Sequence, residues 1–373
     1  MTKKILSFLF FIHFSISYCQ QFPISESTKI SIITIGLGDE VHSLYGHTAL
    51  RIQDYKTNID LVYNYGMFDF STENFVAKFA KGNLQYYAAA YPYADFEYNY
   101  REDNRSIYEQ VLNLSTLEKQ NLFDKLNNSL LPENTFYTYK FIDRNCTTKV
   151  IDIVNEVLEN KPIVKKNINN STYREVLFPY ANNHFYEQLG INIIFGQKVD
   201  NQATTIFLPL DFYDNLKIIS YKNKPLVSET NIVFEANRTT PFSYLDNIYS
   251  LIAILFLFVI INKKATHIIY FSFLGLIGLV FSLMSIYSFH KELFWNYNIL
   301  LLNPLFLCLV FFIIKNNTKW IKKLSLISLL FLVTYCLYMI GKIHFIIVLP
   351  IVIATFIMLF RLVLKKENNY CPL

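Results

Sequence analysis

The chain has 373 residues, of which 53% are hydrophobic, 17% aromatic and only 17% charged, and its mean hydropathy is +0.25. Charge is unevenly spread: residues 20–246 hold 21 Lys/Arg against 27 Asp/Glu, net −6, whereas the chain after 246 holds 11 against 2, net +9. The overall +5 therefore comes from Lys and Arg flanking apolar segments and is no sign of a nucleic-acid partner, and the composition excludes a fully soluble cytoplasmic protein.

At the N-terminus, Lys3-Lys4 precede an apolar run from Ile5 to Ile16, and Ser17-Tyr18-Cys19 precede the polar Gln20-Gln21. This pattern predicts a cleaved secretory signal over residues 1–19, with an apolar core too short to span a bilayer comfortably. An uncleaved anchor is the alternative. Bulky Tyr18 argues against a lipoprotein signal lipidated at Cys19. Export changes how the five cysteines read. Cys19 leaves with the signal, and Cys308, Cys336 and Cys371 lie in or after the apolar region. Cys146 is then the lone thiol of the exported part, without a disulfide partner in its own domain, and reads either as reactive or as a buried inert cysteine.

Residues 20–246 are long enough for one sizeable core. Strands are predicted at Lys29–Ile35, Ala49–Gln53, Leu61–Tyr65, Leu84–Tyr91, Ser106–Leu114 and Phe136–Ile142, and helices at Glu73–Lys81, Ser115–Asn128 and Thr147–Glu159. Ser115 with Glu118 three residues on is a capping box. The expected class is α+β, with grouped strands and helices packed on one side. Two stretches carry chemistry: Leu44-Tyr45-Gly46-His47-Thr48-Ala49, where a His follows a Gly at a strand entrance, and Phe141-Ile142-Asp143-Arg144-Asn145-Cys146, where a Cys opens an amphipathic helix. A cysteine at a helix N-terminus feels the positive end of the dipole, which favours its thiolate, and Arg144 pushes the same way. A thiolate with an imidazole in reach is the arrangement for covalent acyl chemistry. His42 and His184 are alternative partners to His47, and a packed strand-end histidine is its plainer reading.

Five apolar segments follow, at about 247–262, 266–288, 298–314, 322–340 and 343–362, each near bilayer-spanning length. With the N-terminal part outside, the inner loops hold Lys263, Lys264, Lys315, Lys319, Lys322, Lys323, Arg361, Lys365 and Lys366, and the outer loops only Lys291 and Lys342. This asymmetry predicts a periplasmic or extracellular domain at 20–246, an all-α bundle of five transmembrane helices at 247–364 and a cytoplasmic tail at 365–373.

A Gly-His-x-Ala strand motif followed much later by Asn-Cys at a helix start resembles circularly permuted papain-like enzymes, such as permuted NlpC/P60 hydrolases and lecithin:retinol acyltransferase-like enzymes. More specifically, Tyr45-Gly46-His47-Thr48-Ala49, Val62-Tyr63-Asn64-Tyr65-Gly66-Met67-Phe68-Asp69-Phe70, Asn104-Arg105-Ser106-Ile107-Tyr108-Glu109-Gln110 and Asn145-Cys146 resemble the Lnb family of bacterial envelope proteins. So do the outer loop Phe289-His290-Lys291-Glu292 and the following Asn296-Tyr297-Asn298 and Asn303-Pro304, with Tyr297 standing where the family tends to carry Trp. The resemblance spans nearly the whole mature chain. It implies a permuted papain-like periplasmic domain on five helices in the bacterial inner membrane, and a link to lipoprotein N-acylation.

What the resemblance implies is an acyltransferase; no cofactor is expected, and no metal, because His42 and His47 are five apart with no matching Cys/His cluster elsewhere. A phospholipid is the acyl donor and a lipoprotein the acceptor. Cys146 is the expected nucleophile and His47 the base. Asn64 is expected to orient the imidazole, with Asp69 as second choice. Asn145 and Tyr45 are candidates for lining the substrate pocket, Arg174 for a phosphate, and His290, Asn296 and Asn298 for head-group contacts. Turn residues, a surface ion pair and interfacial polar groups are their plainer readings. An envelope thiol hydrolase and a silent membrane scaffold are the competing functions, and the scaffold requires His47 and Cys146 to lie apart.

Overall fold

The run Lys29–Ile35 alternates so that Ile30 and Ile32 face one way and Ile33 and Ile35 the other, and all four are fully buried. Burial on both faces demands a central strand with cover above and below. The computed structural model, which describes residues 23–166, 170–238 and 243–364, supplies both. The expected signal segment 1–19 and tail 365–373 lie outside the described residues. Seven strands form one sheet: β1 (Lys29–Ile35), β2 (His47–Asp54), β3 (Ile59–Met67), β4 (Gln85–Pro92), β5 (Ile107–Leu112), β6 (Phe136–Thr138) and β7 (Val227–Phe234). Their order is β6-β4-β3-β2-β1-β5-β7, with every neighbouring pair antiparallel.

One face carries the main core, where Ile30, Ile32, Leu50, Ile52, Tyr63 and Tyr65 meet two helices, α3 (Thr116–Asn128) and α4 (Cys146–Val157). The opposite face is covered by α2 (Tyr93–Glu102), whose Tyr93 and Phe96 pack on Ile33, Ile35, Ala49 and Val62. Helices thus lie on both faces, which corrects the one-sided expectation. The polar sequence of α2 hides the two aromatics that dock it. A further helix, α1 (Phe75–Lys81), projects from the end of β3 and buries none of its own residues. β6 ends at Thr138 instead of Ile142, because the chain turns at Lys140 and Arg144, which bridge each other, to reach the start of α4.

The predicted capping box on α3 forms. The Ser115 N–H donates to Glu118 Oε2 at 2.8 Å, and the Glu118 N–H donates to Ser115 Oγ. Glu118 Oε1 also accepts from the Tyr221 hydroxyl at 2.7 Å and from Lys222 at 2.9 Å, which staples the later chain onto α3.

After the sheet domain, four stretches are long and apolar enough to cross a membrane: Lys264–Tyr287, Lys291–Ile314, Thr318–Met339 and Phe345–Leu364. The first expected span is a shorter apolar helix, Ile248–Ile261, of 14 residues. At 1.5 Å per residue that is about 21 Å, below a hydrocarbon thickness of about 30 Å. Residues 298–304 of the expected third span are not α-helical. They follow a 3-10 turn at Lys291–Leu293 and run through a second at Tyr297–Leu300, and regular helix begins only at Leu305. The buried amides of Asn296 and Asn298 hold this segment against the end of the helix Phe185–Ile194.

Burial would raise the Glu118 carboxyl, but hydrogen bonds from Tyr221, Lys222 and Ser115 outweigh it and hold the group at about 2 against an ordinary 4.5. The unfolded chain takes up this proton first, so the stabilisation is complete above 4.5 and is lost as pH falls towards about 2. Thermal unfolding of the full chain in detergent is therefore expected to show a shallower acid limb for Glu118→Gln than for the wild type. Identical slopes would refute the assignment.

Candidate active site

Gly46 places His47. Its φ is +81°, and a Cβ there would lie 2.5 Å from the Ile35 carbonyl oxygen, so only glycine lets β2 begin this close to β1. His47 and Asn64 share the sheet face of Ala49 and Val62, two residues on from one and back from the other. His47 Nε2 and Asn64 Oδ1 are 3.0 Å apart. The Asn64 amide nitrogen donates to the Val62 carbonyl at 3.3 Å, which turns Oδ1 towards the ring. That oxygen can only accept, so Nε2 carries the proton and Nδ1 is left as the basic nitrogen.

Asn145 starts the helix that carries the thiol. Its Oδ1 accepts the Thr148 N–H at 3.0 Å, while its Nδ2 donates to the carbonyls of Phe141 and Phe207 at 2.8 Å each. Cys146 is thereby the first helical residue, partly exposed at the end of the sheet. Its thiol meets the Thr147 hydroxyl at 4.0 Å, and His47 and the Thr48 N–H are the groups whose charge and polarity bear on it. Burial pushes this thiol up. The His47 charge and hydrogen bond, together with Thr48 and Thr147, outweigh that and hold it below its ordinary value of 9.0. The Thr147 hydroxyl is pinned in turn by Thr48 at 3.0 Å. A partly exposed thiol of lowered pKa, beside an imidazole oriented by an amide, is equipped to form and release an acyl thioester.

Several residues around the thiol escaped the sequence reading. Gly66, with φ +90°, lets β3 pass between Tyr139 and the thiol, since a Cβ there would lie 3.3 Å from the Tyr139 ring and 3.7 Å from Cys146 Cβ. The Tyr100 ring lies near-parallel to His47 at 6.4 Å, and the buried Arg105 guanidinium stands over Tyr100 at 4.8 Å while donating to the Gly36 carbonyl. Gly66 and Arg105 sit inside motifs already noted, so a signal existed for them. Tyr100 is one of many tyrosines and carried none.

Other predicted residues serve elsewhere. Arg174 is buried, and all five of its N–H groups are taken: Nε by Asp200 at 2.6 Å, and the rest by Asn192, Phe195 and Gly196. No N–H is left for a phosphate. Asn296 and Asn298 donate to carbonyls at the C-terminal end of the helix Phe185–Ile194, and the Asn298 oxygen accepts from the Tyr335 hydroxyl. Tyr297 donates to Asp200 Oδ2 at 2.7 Å, beside Lys342 at 2.9 Å. His290 Nε2 pairs with the Phe79 carbonyl at 2.9 Å. Tyr45 packs on Phe141 and Tyr180 and lines a small cleft beside Arg174. Asn145 is spent on its three helix-start contacts. Asp69 is exposed and bonded to Ser71, away from the imidazole. Of the alternative histidines, His42 packs on Phe68 and His184 faces Asp39 at 3.7 Å. Among the described residues, His184, Glu187 and Asp246 have metal-ligand spacing, with ligand atoms within 4.8 Å of one another.

The fold and site define a membrane protein whose outer sheet domain holds a thiol, an imidazole and an amide in series. Two family models match the chain: the Lnb N-terminal periplasmic domain over residues 18–177 and the Lnb transmembrane domain over residues 233–371. Together they cover well over half of it, and the chain belongs to the Lnb family. It is an integral membrane protein with a periplasmic N-terminal domain. No curated protein and no solved structure is significantly similar to it.

The lowered thiol predicts a distinctive alkylation profile. With iodoacetamide and peptide mapping to separate Cys146 from Cys308, Cys336 and Cys371, the rate at Cys146 should reach half its maximum below pH 9.0. His47→Ala should move that midpoint upward, because the charge and the hydrogen bond favouring the thiolate are both gone. An unmoved midpoint would mean that the imidazole does not control the thiol.

Proposed function

We propose that this protein is a cysteine acyltransferase that moves an acyl chain from a phospholipid to the α-amino group of bacterial lipoproteins. The observation that carries the reading is the Cys146–His47–Asn64 series, joined to a membrane bundle in a chain of the Lnb family. His47 Nδ1 holds the thiol proton, and the Cys146 sulfur attacks the carbonyl carbon of the donor ester. A C–S bond forms, the ester C–O bond breaks, and the imidazolium protonates the leaving alkoxide to release a lysophospholipid. The free amine of the lipoprotein's N-terminal cysteine then attacks the thioester. An N–C bond forms, His47 takes the amine proton, and the C–S bond breaks to return the thiolate–imidazolium pair. The Cys146 backbone N–H, unpaired by the helix at its first turn, is placed to receive the oxyanion.

An acyl donor embedded in lipid and an acceptor anchored at its surface explain why the thiol domain needs a membrane bundle. The same argument favours transfer over hydrolysis of peptidoglycan peptides, which requires no spans. The influence of His47 on the Cys146 thiol, with the next residues Thr48 and Thr147 joined at 3.0 Å, counts against a silent scaffold. We further assign the outer domain a permuted papain-like arrangement, since the histidine strand precedes the cysteine helix in the chain. We also propose five membrane segments, with Ile248–Ile261 as the short first one, and a cytoplasmic C-terminus, a reading that the Lys/Arg asymmetry of the loops supports.

Mass spectrometry of lipoprotein N-terminal peptides tests the reading in cells whose only copy is wild type, Cys146→Ala or His47→Ala. The amide-linked chain should vanish with Cys146→Ala and fall by roughly 10²-fold or more with His47→Ala. Equal acylation in all three strains, at equal protein levels, would overturn it.

A further inference from the structure

We infer that α1 (Phe75–Lys81) lies in the lipid head-group layer, and that the aromatic side chains behind it form the path by which a phospholipid acyl chain reaches Cys146. The second half of this inference rests on the proposed acyl transfer; the first does not.

The argument begins with a helix that the protein does not bury. α1 has no buried residue, yet Val76 is 76% exposed and Phe79 51%, and Phe70 just before it is 70% exposed. Phe75 alone of its side chains packs on the main core, and the exposed apolar side chains of the rest need another apolar medium. The position of α1 supplies one. Its last turn is hydrogen-bonded to the loop that closes the apolar helix Lys264–Tyr287: Ser288 Oγ donates to the Ala80 carbonyl at 2.7 Å, the Phe289 N–H to the Lys81 carbonyl at 2.7 Å, and His290 Nε2 meets the Phe79 carbonyl at 2.9 Å. Gly82 allows this approach, because a Cβ there would lie 2.9 Å from the His290 ring. The outer end of a membrane-spanning helix marks the bilayer surface, and α1 is fastened to that end. Exposed Phe289 extends the apolar patch. Lys78 and Lys81 make no ion pair with a carboxylate among the described residues, and Lys81 stands over the Tyr287 and Phe289 rings, so both cations are available to phosphates.

From α1 the rings run inward without a break. Phe79 stacks on Phe75 at 6.4 Å, Phe75 meets Phe68 at 5.9 Å, Phe68 meets Tyr86 at 5.5 Å, and Tyr86 stacks on Tyr139 at 4.4 Å. Tyr139 is the ring that lies against Gly66 next to Cys146. The row of rings therefore forms a packed apolar wall from the lipid-facing helix to the thiol, a surface that suits an alkyl chain lying along it and not a peptide.

The test uses the full chain in nanodiscs of phosphatidylcholine and phosphatidylglycerol, with a benzophenone amino acid at Val76, at Phe79 or at Tyr55. Tyr55 is 80% exposed at the opposite end of the sheet, on the β2–β3 turn. Lipid cross-links at 76 and 79, and none at 55, are expected. Cross-links to protein only, or no lipid adduct at 76 and 79, would overturn the interfacial position. For the path, the acyl-enzyme is followed by intact mass, with phospholipid or a small soluble ester as donor. The pair Val76→Asp and Phe79→Asp should slow acylation by phospholipid roughly tenfold relative to acylation by the soluble ester. Equal slowing with both donors would overturn the path. If wild-type protein forms no acyl-enzyme from either donor, the acyltransferase reading and the path fall together, whereas the cross-links still decide where α1 lies.

Discussion

The amide of Asn145 is the constraint on which the site depends. One oxygen and two N–H groups fix three separate things: the first turn of α4, the Phe141 carbonyl ahead of it and the Phe207 carbonyl from a distant loop. A helix start held at three points cannot slide, so the first residue of α4 presents its thiol at one height above the sheet end. A shift of one residue would swing the thiol by about 100° around the helix, out of reach of His47. The imidazole is equally constrained, by the close approach of Gly46 to Ile35 on one side and by Asn64 on the other. Both elements meet at the sheet end, where the face carrying His47 and the helix covering the opposite face converge.

A second set of contacts fixes the sheet domain against the bundle. Asp200 receives Arg174, the Tyr297 hydroxyl and Lys342, so one carboxylate joins the outer domain to two loops of the membrane region. Burial raises this carboxyl, and the charge and hydrogen bond of Arg174, with those of Tyr297 and Lys342, bring it below its ordinary value. Asn296 and Asn298 bind the C-terminal carbonyls of Phe185–Ile194, which otherwise lack partners. Lys198 links Glu292 of the outer loop to Asp143, three residues before the thiol. Buried charge is expensive unless it is fully paired, and pairing makes the joint stiff. A stiff joint holds the thiol at a set height above the apolar helices, as the proposed transfer between two membrane-anchored substrates requires.

These contacts explain where the polar residues of the sequence went. Arg174, His290, Asn296 and Asn298 are the kinds of residue that bind phosphate or head groups, and each lies where the outer domain meets the loops of the apolar helices. The sequence shows residue type and approximate depth but not which carbonyls are left unpaired nearby. The Phe185–Ile194 helix, whose end needs capping, was itself absent from the predicted elements, so the demand for these amides was invisible.

By itself the sequence determined the division into an outer polar part and an apolar bundle, because hydropathy and Lys/Arg placement are sums over many residues that no single contact can reverse. It also determined β1 to the residue and the Ser115–Glu118 cap, because alternation and capping are local. Cys146 and His47 stood out by type and setting, and Asn64 as the amide on the next strand able to orient the imidazole, with Asp69 as second choice. The tertiary structure alone decided that they lie together, since a site assembled from two strands and a helix depends on register and on the turn at Asn145. It also decided the two-sided cover of the sheet, the 3-10 break before Leu305 and the uncovered apolar face of α1. Each of these depends on which surface meets which, and packing between distant segments leaves no periodicity in the chain.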